Sequence, residues 1–387
     1  MNTNSTQLPK IAIIGGGPGG LVLARLLQEN NIPATTYELE ASMETRSQGG
    51  CLDLHEVSGQ KTIKAAGLWD EVEKVLRYEG EDTKVLDKSG KVHIDEISDG
   101  KGGRPEIDRP QLRDILLKSI KPENIQWGHK LRKVEQGENG KYDLHFDNGK
   151  VEKGFDLVIG ADGAWSKVRQ QLTDVKPTYA GTVMIETRFR DVDNKQPEIA
   201  NMVGRGSMFA LSFGKSHLAQ RNGDGSIRNY IALRVPEDYF KECDFSNNKE
   251  MRAKLLEIFK DWDPSFNKLI ELCDDDFIPR PLYTLPIDHT WVNKPGLTLL
   301  GDAAHLMPPS GEGVNLAMLD ALELSEAISK NINNVNEAIV EYEKKMIERA
   351  QEEAKESIKM QELLFGQDAP KGLVDFLTAH VSPQAEF

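Results

Sequence analysis

The stretch from Lys10 to Glu38 constrains the fold more than any other part of the chain. Lys10-Ile-Ala-Ile-Ile14 reads as a short buried strand that runs into Gly15-Gly-Gly-Pro-Gly-Gly20. Leu21–Leu27 continues with helical spacing, and Ala34–Tyr37 is a second strand that ends at Glu38. Together they make a complete unit of strand, Gly-rich turn, helix, second strand and acid. Gly15, Gly17 and Gly20 occupy the positions of the G-x-G-x-x-G pattern. They permit a tight turn, close approach of backbone to a pyrophosphate, and helix–strand packing. Glu38 falls where an acid bonds a ribose hydroxyl. The unit points to a dinucleotide and leaves FAD and NAD both open.

Two later stretches repeat the move from buried strand to polar turn. Phe155-Asp-Leu-Val-Ile-Gly160 leads to Asp162-Gly163, with Ser166 and Arg169 following and a helix expected near Ser166. Leu297–Leu300 leads to Gly301-Asp302-Ala-Ala-His305, then Pro308-Pro309-Ser-Gly-Glu-Gly313-Val314-Asn315, then an apolar-faced helix over Leu316–Ser325. The prolines fix φ and the glycines admit a ligand close to backbone. The helix start offers free N–H groups and a positive dipole end. Such a loop suits a flat ligand that gains negative charge during its chemistry.

Length and charge bound the rest. A chain of 387 residues is expected to hold two domains, or one α/β domain with an insert. The net charge of −14 argues against nucleic acid or an anionic membrane as partner. Cys51, Cys243 and Cys273 are too far apart for a metal motif, so no metal site is expected. No stretch approaches the ~20 apolar residues of a membrane span. The polar start lacks a secretory apolar core, so a cytoplasmic location is expected.

The spacing predicts paired strands over Lys84–Ile97 and a hairpin at Asp147-Asn-Gly149. Residues 178–290 alternate like strands, with one helix near Lys249–Lys260. Asn336 to about Leu364 reads as a long, partly solvated helix. The expected division is residues 1–177 and 291–330 for the dinucleotide domain, 178–290 for a β-rich substrate domain, and 331–387 for a helical segment that braces both.

The three polar turns stand in the order found in the class A flavin monooxygenases, the FAD-dependent aromatic hydroxylases, and the chain resembles that family over most of its length. Gly49-Gly-Cys-Leu-Asp-Leu-His55, Asp261-Trp-Asp263 and Gly301–Pro309 are more similar to the tetracycline-inactivating members. The resemblance implies a Rossmann-like FAD-binding domain of glutathione-reductase type with an inserted β-rich domain over the flavin. It places Asp53, Arg113 and Asp302 on FAD, and Arg46 near the nicotinamide cofactor. Asp162 would lie near the dinucleotide, and the Gly313, Val314 and Asn315 amides beside the flavin ring. The polar residues that the tetracycline enzymes aim at their ligand do not carry over; for the substrate the corresponding region here offers Glu186, Ser207 and Asn229, with Pro309 from the flavin loop.

The implied chemistry is reduction of FAD by NADPH or NADH, reaction with O₂ to a C4a-hydroperoxyflavin, and hydroxylation of a phenolic, enolic or polycyclic, tetracycline-like molecule by a monomeric enzyme. No acid–base or nucleophilic side chain stands out as catalytic. Departures exist: Glu38-Leu39 replaces the more usual Glu-Arg, and the Pro308–Gly313 loop is one residue shorter than in the tetracycline enzymes. No Trp-x-Trp string points to a halogenase, and a plain NAD dehydrogenase leaves residues 301–315 unexplained. A flavoprotein that binds or sequesters a ligand, or senses redox state, without efficient turnover remains the alternative.

Overall fold

The computed structural model describes residues 8–43, 49–274 and 277–381. A five-stranded parallel sheet lies at its centre, in the order Leu297–Leu299, Leu157–Gly160, Ile11–Ile14, Ala34–Tyr37, Ile125–Gln126. Its strands are short, and three of them, Leu297–Leu299, Leu157–Gly160 and Ile11–Ile14, are buried at every position because both faces are covered. The helices Pro18–Glu29, Arg109–Ser119 and Gly313–Lys330 pack around it through Leu21, Leu23, Leu112, Leu116, Met318 and Leu324, all buried. Each such side chain contributes roughly 1.5–3 kcal/mol by leaving water. A three-stranded meander, Leu131–Gln136, Tyr142–Phe146 and Val151–Phe155, leans on the sheet through Tyr142, Phe146 and Phe155.

A seven-stranded sheet forms the second layer. Its order is Ile278–Thr284, Thr178–Phe189, Ile227–Arg234, Lys215–Arg221, Ser207–Ser212, Thr83–Asp87, Val92–Glu96. Two of its strands therefore come from well upstream of residue 178, with Thr83–Asp87 parallel to Ser207–Ser212. One face buries Val183, Ile185, Phe189, Ile231 and Leu233 against helices. Those helices are Asn248–Ile258, capped by Asn247, and Pro264–Glu271, capped by Asp263 with proline at its first position. The sequence pointed to one helix here, but Pro197–Val203 and Pro264–Glu271 are helical too. Both are short pieces whose proline start carries the signal.

Near Ser166 the expected helix is a turn followed by one 3₁₀ turn at Arg169–Gln171. The Ser166 hydroxyl accepts from Arg169 N, and the Arg169 side chain turns inward to backbone carbonyls. The chain leaves that turn for the second sheet rather than coiling further.

The long helix runs Val335–Phe365 and joins the two sheets. Near its start, Tyr342 donates to Leu299 O at 2.9 Å, and buried Glu343 accepts from Trp291, Asn293 and Thr298. Near its end, Gln361 donates to Ala180 O and Glu362 pairs with Arg234. The bracing role expected of this helix is thus visible in its contacts. Among the described residues no helix is long and apolar enough to cross a membrane.

Burial raises the pKa of Glu343, opposed by the Asn293, Thr298 and Trp291 donors. Glu343→Ala strands three donors and is expected to destabilise the fold by about 1–3 kcal/mol. Glu343→Gln keeps an acceptor and should cost less. Chemical denaturation of the three proteins checks the ranking.

Candidate functional site

A cavity of 780 Å³ opens between the two sheets. Its floor comes from all three polar turns: Gly17–Gly20, then Ala161, Gly163 and Ala164, then Gly301, Asp302 and most of residues 305–314; Asp162 itself does not line it. Its roof is Pro279–Tyr283, from the edge strand of the second sheet.

The glycines are dictated by contact. Gly15 has φ of 109°, and a Cβ there would lie 2.2 Å from Ala161 O. A Cβ on Gly20 would lie 2.1 Å from Gly15 O. At Gly17 a Cβ would meet nothing within 4 Å, because this residue faces the cavity. The Pro18–Glu29 helix therefore points an unobstructed N-terminus at the cavity, the usual cradle for a pyrophosphate. Glu38 is buried; one carboxylate oxygen accepts from Gly16 N and the other from Glu40 N at 2.9 Å.

The Gly301 turn is held from behind. Asp320 is fully buried; its Oδ2 accepts from Gly301 N at 2.9 Å and from His305 Nε2 at 2.6 Å. Its Oδ1 accepts from Arg349 at 2.7 Å. Burial opposes a charge on His305, but Asp320 outweighs it and raises the imidazole. Asp302 turns its exposed side chain into the cavity. The protein crowded around it raises its carboxyl, opposed by His305, Arg109 and Arg169.

Arg169 ties the second turn to the third. It donates to Ala303 O at 2.9 Å and to Ala164 O at 2.5 Å. Asp162 accepts from Lys167 N at 2.7 Å, and burial raises its carboxyl.

Asn315 ties the third turn to the Cys51–Asp53 strand. It accepts from His55 N at 3.0 Å and donates to Asp53 O at 2.9 Å. Gly313 and Val314 line the cavity, whereas Asn315 lies buried beneath it. His55 bridges two acids, with Asp53 at 2.6 Å and Glu312 at 3.0 Å.

The remaining expected residues divide. Pro309 lines the cavity. Arg113 does not; it forms a buried pair with Glu40 at 2.8 Å and donates to Met43 O. Arg46 lies outside the described residues. Glu186 is buried one layer behind the roof, paired with Arg228 and with Arg280, and Arg280 lines the cavity. Asn229 faces the other side of the sheet, bonded to His217 among Phe259, Trp262 and Phe266. Burial lowers His217 to about 3, so this cluster is neutral. Strand alternation puts Arg228 and Tyr230, not Asn229, on the side of Glu186. Ser207 shares that side but stands three strands from Glu186 and does not line the cavity. Sequence reasoning missed Arg109, Arg280, Tyr283 and Trp165 at the cavity.

Comparison with known proteins agrees with this geometry. The family described as "FAD binding domain" matches residues 9–357. The monooxygenase asqM of Emericella nidulans is 31% identical, covering 83% of this chain and 84% of its own length. The structure of Klebsiella pneumoniae HpxO complexed with FAD and uric acid superposes with a TM-score of 0.78 at 22% identity, over 96% of this chain and 93% of that one. The tetracycline destructase Tet(51) gives 0.74 at 20% identity, over 97% and 95%.

His55 yields a pH test. Burial opposes its charge, but hydrogen bonds and charge from Asp53 and Glu312 outweigh it and push its pKa up to about 9. A histidine raised above its unfolded value of ~6.5 adds stability that is full below that value and is lost as pH rises through about 9. His55→Gln is therefore expected to cost about 1–3 kcal/mol near pH 6. The deficit should shrink above pH 9. Denaturation curves at both pH values read it, and an equal deficit would show that His55 carries no charge.

Proposed function

We propose, because the chain belongs to the FAD-binding family of flavin-dependent monooxygenases, that it spends NADPH or NADH and O₂ to hydroxylate a phenolic, enolic or polycyclic small molecule. The overall balance is R–H + NAD(P)H + H⁺ + O₂ → R–OH + NAD(P)⁺ + H₂O. The observation that carries the reading is one cavity floored by all three polar turns, with Asp302 turned into it.

The cavity fits FAD. The free start of the Pro18–Glu29 helix would hold the pyrophosphate, and the close-packed Gly15 and Gly20 allow that approach. Glu38 keeps a lone pair on each oxygen for ribose hydroxyls. Asp302 would bond the ribityl chain, and the Gly313 and Val314 amides would face the ring. Bound there, FAD supplies the redox chemistry. The chain's own part is to orient the substrate beneath the Pro279–Tyr283 roof, to keep water from the reacting atoms, and to present helix-end amides to developing negative charge. Arg113 and Asp53 act from behind, one pinning Glu40 and the other His55.

The names of relatives support the substrate class. One is a uric acid complex and another a tetracycline destructase. An oxygen-rich, enolisable ring system is common to both compounds, and tetracycline is the first candidate to test.

Purified protein should be yellow and release FAD on heating. With NADPH and O₂, a panel of phenols and tetracyclines should include one that gains a single oxygen by mass spectrometry. NADPH consumption that yields only hydrogen peroxide across the panel would overturn hydroxylation. Asp302→Ala should weaken FAD by about tenfold to a hundredfold, the loss of one strong hydrogen bond. Unchanged FAD affinity on titration would remove Asp302 from the cofactor site.

A further inference from the structure

The cavity wall carries the cations Arg109 and Arg280, together with His305. His305 is bonded to Asp320, and Arg280 gives Glu186 two hydrogen bonds, at 3.0 and 3.2 Å. Arg109 differs. Its guanidinium has no acceptor among the described residues. Its backbone is fixed as the first residue of the Arg109–Ser119 helix, with N donating to Gly50 O at 3.1 Å. Its side chain runs along Gly49, where an added Cβ would stand 3.2 Å from Arg109 Cδ. The glycine, at φ of 89°, leaves the lane that this side chain follows.

Two observations set Arg109 at the substrate end of the cavity. It lines the cavity with Asp302 of the floor and Arg280 of the roof, and a Cβ added at Gly50, whose carbonyl holds Arg109 N, would stand 3.0 Å from Arg228 Cδ in the sheet above. The pyrophosphate already has its own cradle at Gly17 and the helix start. On the sheet side, Arg228 and Arg280 share the single carboxylate of Glu186. Among the described lining residues, the guanidiniums of Arg109 and Arg280 stand against the one carboxylate of Asp302. A chain of net charge −14 therefore keeps a positive pocket here. Low-dielectric walls such as Pro279, Pro281, Leu282 and Met307 concentrate that field.

We propose that Arg109 is the anchor for an anionic oxygen of the substrate, so that the cavity takes an enolate, phenolate or ring carboxylate in preference to a neutral ring. This names the substrate class of the monooxygenase reading and rests on it. An unpaired guanidinium in a cavity wall is completed by a ligand that brings two acceptor lone pairs in a plane. An enolate or phenolate bound this way also donates electron density to its ring, which favours attack on an electrophilic oxygen.

The test uses the FAD-loaded protein and needs no turnover. Pairs of ligands that differ only as acid and amide are titrated while the bound-flavin absorbance is followed, among them 2,4-dihydroxybenzoate with 2,4-dihydroxybenzamide and salicylate with salicylamide. In the native protein at least one acid should bind about tenfold or more tightly than its amide, the worth of one charged hydrogen bond. Arg109→Gln should close that gap to below about threefold with FAD content unchanged, and Arg109→Lys should keep part of it. The proposal is overturned if no acid outbinds its amide, if the preference survives Arg109→Gln, or if Arg109→Gln loses FAD. The last result would assign Arg109 to the cofactor. Failure of hydroxylation in the turnover panel is a separate result, because acid preference is read from binding alone.

Discussion

The carboxylate of Asp320 is the constraint on which the cavity floor depends. It is fully buried and accepts three donors from three places: Gly301 N, His305 Nε2 and Arg349. Gly301 and His305 bracket Asp302, and Arg349 belongs to the long Val335–Phe365 helix. One side chain thereby fixes the turn that aims Asp302 and couples that turn to the helix joining both sheets. Breaking such a buried charge cluster costs about 3–5 kcal/mol, because the partners are left charged and unpaired. Arg349 is further held by Glu323, one turn along from Asp320, which limits how far the cluster can relax.

The same logic recurs around the floor. Loops cannot satisfy their own backbone, so buried side chains must do it. Arg169 takes up carbonyls of both the second and third turns, at Ala164 and Ala303. Asn315 takes up Asp53 O and His55 N. The second and third turns and the Cys51–His55 segment, far apart in sequence, are thereby cross-linked by hydrogen bonds. A site that must admit a large polar cofactor cannot be filled with apolar side chains. Its rigidity has to come from the layer beneath it.

Much of this was legible from local pattern. The Lys10–Glu38 unit, the Leu297–Leu299 strand and the helix at Val335–Phe365 all follow from periodicity and glycine placement, which act over a few residues. What escaped was set by distance. Pairing of Thr83–Asp87 with Ser207–Ser212 joins segments more than a hundred residues apart, and neither strand records its partner. Arg113 is a cofactor contact by resemblance, and its own side chain is tied to Glu40, in the turn that follows the Ala34–Tyr37 strand. Asn229 shows how little separates one side of a sheet from the other. A single step along the strand puts Tyr230 toward the cavity and Asn229 into a neutral cluster around His217.

That one-residue rule also determines the electrostatics of the roof. Glu186 stands opposite Tyr230 on one neighbouring strand and opposite Ile278 on the other. Arg228 and Arg280 are therefore its diagonal neighbours, two residues along on each side. Long side chains reach across that diagonal, and both arginines close on the one carboxylate. The sheet thus spends one acid to hold two cations in place, and Arg280 still keeps about half of its side chain exposed, toward the cavity it lines. A neutral residue at position 186 would release two guanidiniums into the roof at once. The charge a ligand meets there is set by the pairing register of three strands, before any loop at the rim is considered.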